Sequence, residues 1–284
     1  VVETAPEALV AAFLESELVV LDLLGDMEMS EEILTAISQA GQLETPKVLV
    51  GLSSVMTWAR TSPDADDPEK PLTEADYKKR RPHSSYKELV ALEKLVTKSK
   101  REGLRSHVVA AGLTYGEEED LFHTLFKTAW TNKPLPLLTM ADGGNTLPTV
   151  HVADVCSIVV KLLESDSLPY LLALDSPPTA EDVPPQTLAS IVQALSTELG
   201  TGEVLAPPAR DALLLTPDYE FFQVGAPIGD APPLKLAADA VNGLGIEWHS
   251  QEGLLVNMAK VVGEYRESRG LQPLRLLVHG NDEL

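Results

Sequence analysis

Short apolar runs alternate with amphipathic stretches along the chain, and this alternation predicts the elements. "LVVLDLL" (18–24), "KVLVGLSSV" (47–55) and "SHVVAAGL" (106–113) are continuous apolar runs of strand length, the pattern of strands buried on both faces. Between the first two, "SEEILTAISQAG" (30–41) has helical spacing, with Ser30 as the expected N-cap, acids in the first turn and Gly41 as the stop. A polar, Pro-containing loop (61–82) leads to "HSSYKELVALEKLV" (83–96), whose Leu89, Leu92 and Val96 form one apolar stripe. There Ser85-x-x-Glu88 matches a capping box. "DLFHTLFKTAW" (120–130) is a further helix, "TVHVADVCSIVVKLLES" (149–165) passes from strand into helix, and "PYLLALD" (169–175) is a strand. "PQTLASIVQALSTELG" (185–200) is a helix opened by Pro and closed by Gly. After a Pro-rich connector (206–233), "SQEGLLVNMAKVVGEYRESRG" (250–270) is the last long helix. Strand–helix alternation predicts an α/β fold with a mostly parallel sheet.

Composition narrows the class. The 284 residues are 44% hydrophobic, enough for a sizeable core. The net charge of −21 sets the whole field against nucleic acid and anionic membrane. Ten of the 22 basic residues nevertheless lie in 78–105, flanked by the acidic runs 64–76 and 116–120. This segment reads either as locally paired, solvated charge or as a docking surface of both signs. A single cysteine, Cys156, rules out a disulfide within the chain and suits a reducing compartment. No apolar run reaches the ~20 residues that span a bilayer, and "VVETAPEALVAAFLES" lacks the basic start of a signal peptide. The histidines at 83, 107, 123, 151, 249 and 279 show no metal-ligand spacing with Cys156 or paired acids, so no metal is expected. Trp58, Trp130 and Trp248 read as core or interface aromatics.

Several motifs fall in one order: "VLVGLSS", an acid- and Pro-rich loop and helix, "VVAAGLTYG", "PLPLLTMADGGNTLPTVHVADV", and "GLGIEWHSQEGLLVNMAKVVGEYRE". From about 17 to 270 this series resembles the extended short-chain dehydrogenase/reductase family, the fold of nucleotide-sugar epimerases and dehydratases. The resemblance implies a Rossmann-like, mostly parallel sheet with a small C-terminal subdomain. It also implies that "LVVLDLL" corresponds to the family's fourth strand, so that the N-terminal strands are missing or incomplete. "SSVMTWAR", "FHTLFKTAW" and "YRESRGLQPLRLLV" are similar, more narrowly, to the N-terminal domain of a family of cilium-associated kinases with a reductase-like domain ahead of the kinase domain. On that resemblance 1–270 is a degenerate NAD(P)-binding domain, and 271–284 begins a truncated kinase-like domain. Gly280 there matches the first glycine of a phosphate-binding loop, but Asp282 and Glu283 would repel phosphate.

The family's hydride chemistry needs a Gly-rich turn for pyrophosphate, a Ser, a Tyr, and a Lys four residues after the Tyr on the same helix face. The ammonium then lowers the phenol's pKa for acid/base work. The resemblance assigns the serine to Ser54. In the family a Glu follows the Lys by four residues; the resemblance matches it to Glu93, which implies Ser85 and Leu89 where the Tyr and Lys belong. Tyr86 is one residue out of register, with Val90 at i+4. Tyr77 has Arg81 at i+4, but Pro82 and the run of basic residues argue against an ordered helix there. Ala110 and Ala111 stand where the family's Arg-Pro is expected, and the first glycine, Gly25, carries no phosphate-binding motif. His151 and Asp154 match the family's His-Val-x-Asp, with a structural role expected. The implied function is a non-catalytic scaffold module in the cytoplasm, at a cilium or flagellum axoneme. Its partners would be other axonemal proteins in a large assembly, without nucleic acid, membrane or bound cofactor, and Ser54 would be a remnant only. The alternatives are an NAD(P)-dependent oxidoreductase or epimerase, a nucleotide sensor, or a nucleoside monophosphate kinase if an intact kinase domain follows.

Overall fold

The structure is a computed structural model. It describes residues 6–117, 121–139, 143–176, 185–208, 219–224, 226, 233–250 and 252–270. The expected strand at 271–284, with Gly280, lies outside these.

The apolar runs form a parallel sheet. Strands β1 (Leu18–Asp22), β2 (Lys47–Ser54), β3 (Leu104–Ala111) and β7 (Tyr170–Ala173) lie in the order β1-β2-β3-β7, all parallel. Nearly every residue of β2, β3 and β7 is buried, as their unbroken hydrophobicity requires. β1 is only half-buried, and among the described residues it pairs with β2 alone. Two short parallel pairs stand beside the sheet. One joins β4 (Leu113–Tyr115) to β6 (Thr149–His151), and the other joins β5 (Leu135–Pro136) to β8 (Val204–Leu205).

Helix α2 (Met27–Gln39) begins three residues before the expected Ser30. Asp26 is the cap, its carboxylate accepting from the Met29 amide at 2.9 Å, while Ser30 is buried and donates to the Asp22 carbonyl. An ionised carboxylate is the stronger partner for a helix N-terminus. Helix α3 (Lys87–Lys98) buries the expected stripe of Leu89, Leu92 and Val96, and Glu93 with it. Its capping differs from expectation. A 3-10 turn, Ser84–Tyr86, precedes it and His83 caps that turn, so Ser85 is free to bond elsewhere. α3 packs closely on the sheet because Gly51 has no side chain. A Cβ there would lie 2.9 Å from a Val96 methyl and 3.0 Å from a Leu23 methyl.

The remaining helices are α4 (His123–Trp130), α5 (Val152–Lys161), α6 (Leu188–Leu199), α7 (Asp239–Asn242), α8 (Gly253–Val256) and α9 (Met258–Ser268). α6 starts at a Thr187/Ser190 capping box rather than at Pro185. The long helix expected over 250–270 is broken at Asn257 into α8 and α9. α1 (Pro6–Glu15), whose Phe13 is buried, was not expected as a helix. The basic stretch near Tyr77 is ordered after all. Glu74–Lys79 forms a 3-10 helix capped reciprocally by Thr73 and Asp76. Its Glu74 is buried and accepts amides from Leu172 of β7 and from Asp239 and Ala240 of α7, tying α7 to the sheet. No helix among the described residues is long and apolar enough to cross a membrane.

Candidate functional site

In a parallel sheet the reactive groups belong at the carboxyl ends of the strands. β2 ends there in Ser53 and Ser54. Ser54 Oγ accepts from the Met56 amide at 3.2 Å and caps the 3-10 turn Val55–Thr57. Its hydroxyl thus serves the local backbone. Ser53 Oγ donates to Glu93 Oε1 at 2.6 Å, and Thr57 Oγ1 donates to the same oxygen at 3.3 Å. Arg80 donates from Nε to Glu93 Oε2 at 3.0 Å and from Nη2 to the same oxygen. The guanidinium lies over the Tyr170 ring at 5.0 Å and over Tyr77 at 5.5 Å, and these two rings stack at 5.1 Å. Trp58 Nε1 completes the cluster by donating to the Tyr170 hydroxyl at 2.8 Å. Burial raises the Glu93 carboxyl above its ordinary range, and the Arg80 charge works against that rise. Burial likewise raises the Tyr170 phenol, with the Glu93 charge adding to it.

The Tyr-Lys positions are not restored by folding. Leu89 is fully buried in the core. Ser85 Oγ donates to Glu220 at 3.4 Å, and the Tyr86 hydroxyl donates to the same carboxylate at 3.1 Å. Tyr86 also packs edge-on against Phe221, so the segment Tyr219–Gln223 lies over the start of α3. Val90, at i+4 from Tyr86, supplies no ammonium. Tyr77, stacked on Tyr170, is used in packing. Ala110 and Ala111 are buried in β3.

The family's pyrophosphate turn follows its first strand, whereas β1 corresponds to the fourth, so the turn from β1 into α2 is a different one. At this turn the helix N-terminus is occupied by the Asp26 carboxylate. A Cβ at Gly25 would meet the Asp22 carboxylate at 2.9 Å. Two carboxylates at such a turn repel phosphate. This turn therefore does not fit a phosphate.

A second cluster assembles where sequence spacing gave no sign of one. His151 Nδ1 accepts from the Ala153 amide at 3.1 Å and caps α5. Its Nε2 lies 3.1 Å from Glu264 Oε2, and His249 Nε2 lies 3.2 Å from Glu264 Oε1. These ligand atoms are all within 4.8 Å of one another, a spread that a metal ion could bridge. The Ala153 contact decides the tautomer, however. With Nδ1 accepting, Nε2 carries the proton and donates to Glu264, leaving no lone pair there for a metal. Lys260 Nζ, 4.0 Å from Glu264, already supplies positive charge. The trio is a carboxylate bridging two imidazoles, and it joins α9 to the β6–α5 junction. Burial opposes ionisation of Glu264, but the bonds from both histidines outweigh it and hold the carboxyl at about 2. Asp154 accepts from the His249 and Ser250 amides at 2.6 and 3.1 Å, the structural role expected of it. Residues 151, 249 and 264 are too far apart in sequence for spacing to reveal the trio. Trp58 is fully buried, and Trp130 and Trp248 pack against the core.

The parallel sheet order and its flanking helices define a Rossmann-like α/β domain, with the fold of nucleotide-sugar epimerases and dehydratases. Solved structures agree on the fold. UDP-glucose 4-epimerase of Thermotoga maritima superposes with a TM-score of 0.64 at 17% identity, covering 93% of this chain and 82% of that one. A dTDP-glucose 4,6-dehydratase of Bacillus anthracis gives 0.64 at 14%, covering 94% and 79%. No protein-family model matches. The chain is a homologue of part of adenylate kinase 7. It is 32% identical to adenylate kinase 7 of Mus musculus over 281 residues, 94% of this chain and 43% of that protein. It is 33% identical to adenylate kinase 7 of Macaca fascicularis over 197 residues, 66% of this chain and 34% of that protein. The chain therefore spans less than half the length of these relatives.

Proposed function

We propose that this chain is a non-catalytic, reductase-like scaffold module of a cilium or flagellum axoneme, docking other axonemal proteins in a large assembly. The observation that carries the reading is Leu89. It stands at the position of the family's lysine and is fully buried under α3, part of the core rather than of a cleft. The partner position, Ser85, is bonded to Glu220. Arg80 and Glu93 fill the neighbouring space with a closed polar cluster. Fold does not carry function by itself, and a domain without its proton-transfer pair keeps its surfaces. Of the ten basic residues in 78–105, Lys78, Lys79, Arg81, Lys87, Lys94, Lys98 and Lys100 are exposed. Arg80 is held by Glu93, and Arg105 donates to the Leu162 and Leu163 carbonyls. Lys79 is paired with Asp76 at 2.8 Å, and the other six exposed charges are those available to an acidic partner surface. The axonemal setting rests on the kinship with adenylate kinase 7, and imaging the tagged full-length protein in ciliated cells tests it. Calorimetry of the full-length protein with NAD and NADP tests the chemistry. No heat of binding and no turnover of UDP-glucose is expected, whereas micromolar affinity with turnover would overturn the reading.

A further inference from the structure

A cavity of about 460 Å³ opens beyond the carboxyl end of β7, apart from the Ser54 cluster. Its wall is mostly apolar, with Pro71, Leu147, Pro148, Leu174, Val224 and Leu236 among the lining side chains. That size and character suit a small molecule. The polar side chains on the wall are two acids, two amides, three hydroxyls and one lysine. Asp175 follows β7 and Asp239 opens α7, and both line the cavity with Gln186 and Asn242. Among the described lining residues Lys235 is the cation, and it is already ion-paired with Glu69 at 2.5 Å. The floor is held rigidly. Asp175 accepts from the Thr149 hydroxyl at 2.6 Å and from the Tyr115 hydroxyl at 3.3 Å. Gln186 donates to Thr149 at 2.7 Å and accepts from the Leu255 amide at 3.1 Å. The His151 amide is a third donor to this carboxyl, and since a carboxylate offers about four acceptor directions, one remains for a further donor.

Charge then selects the ligand. Among the described lining residues a diphosphate would meet two carboxylates and no unpaired lysine or arginine, so Coulomb repulsion disfavours it. A cation with an apolar body gains on both counts: its carbon skeleton replaces water against Leu and Pro, and its charge faces Asp175 and Asp239. We propose that this cavity binds a small primary amine with an apolar body, its ammonium directed to Asp175 and Asp239. The site is independent of the scaffold reading, because it uses none of the residues where the family's chemistry was lost.

Benzylamine, benzoate and UDP-glucose are the probes, titrated into the full-length protein by calorimetry at pH 8, where Asp175 is ionised. Benzylamine should bind, with at least tenfold weaker binding in Asp175→Asn. Because Asp175 also holds Thr149 and Tyr115, that variant risks misfolding. Leu236→Trp, which fills the cavity from its rim, should abolish benzylamine binding while leaving the circular dichroism spectrum unchanged. Benzylamine heat that survives Leu236→Trp, tighter binding of benzoate or UDP-glucose, or no benzylamine binding at all would each overturn the proposal.

Discussion

At the scale of single residues, Leu89 and Glu264 show opposite fates for a polar position. Leu89 is apolar where the fold's chemistry wants an ammonium, and its burial is complete. Leu89→Lys should therefore destabilise by about 3–5 kcal/mol, since the new charge has no partner in the core. Urea denaturation measures this, and a loss below about 1 kcal/mol would mean that the position opens to solvent. Ser85→Tyr added to it should produce no hydride transfer. Glu264 is polar and kept ionised. Its carboxyl is lowered from 4.5 to about 2 by His151 and His249, against the opposing effect of burial. A lowered folded-state value means the stabilisation is fully present above 4.5 and is lost as pH falls through about 2. Glu264→Gln should cost about 1–2 kcal/mol at pH 6, with the gap to the parent narrowing as pH drops from 4.5 to 2. Asp175 behaves in the reverse sense. Burial raises its carboxyl to about 7 despite the Thr149 and Tyr115 bonds. Its stabilisation is present below 3.8 and is lost as pH rises through 7. Melting temperatures of the parent, Glu264→Gln and Asp175→Asn across pH 2–8 separate the two.

Elements were legible in the sequence where one interaction dominated. The buried strands β2, β3 and β7 are long apolar runs, and no other element explains such runs. The stripe of α3 was likewise visible because Leu89, Leu92 and Val96 repeat with the helical period. What escaped was decided across the chain. The start of α3 is set by His83 and by Glu220, 135 residues from Ser85, rather than by the local Ser85–Glu88 pattern. The basic turn at Glu74–Lys79 is held by its Thr73/Asp76 cap together with the distant contacts of Glu74 and of Tyr77 on Tyr170, and the His151–His249–Glu264 cluster comes from three separate elements. In the Ser54 cluster, the missing dyad could be read from register, but the Arg80–Glu93 pair could not. That pair ties the loop ahead of α3 to the helix itself. Its side chains are 5% and 1% exposed, so removing one charge strands the other. Arg80→Met should cost about 3–5 kcal/mol. Arg80→Met with Glu93→Gln should cost less than the two single changes together, because the second removes the stranded carboxylate. Additive losses in denaturation would show that the two side chains act separately.

For the whole molecule the governing quantity is the excess of 43 acids over 22 basic residues. The exposed pairs Lys79–Asp76, Lys161–Glu164 and Lys235–Glu69 offset little of this, since each is worth about 0–1 kcal/mol and is screened by salt. Repulsion among the unpaired acids is also screened, with a Debye length of about 10 Å at 0.1 M. The two effects oppose each other as salt rises: screening weakens the attractive pairs and relieves the repulsion. Because acids outnumber bases about two to one, relief should win, and stability should increase with sodium chloride. Between 0.02 and 0.5 M the expected gain is about 1 kcal/mol, which for a chain of this size is a rise in Tm of about 2–4 °C. The same screening should weaken any complex that pairs the exposed lysines of 78–105 with an acidic partner surface. Stability and assembly would then respond to salt in opposite directions. A Tm that falls over that range would show that local pairing, including pairing around the basic segment, outweighs the net charge. Those lysines would then be committed within the domain rather than free for a partner.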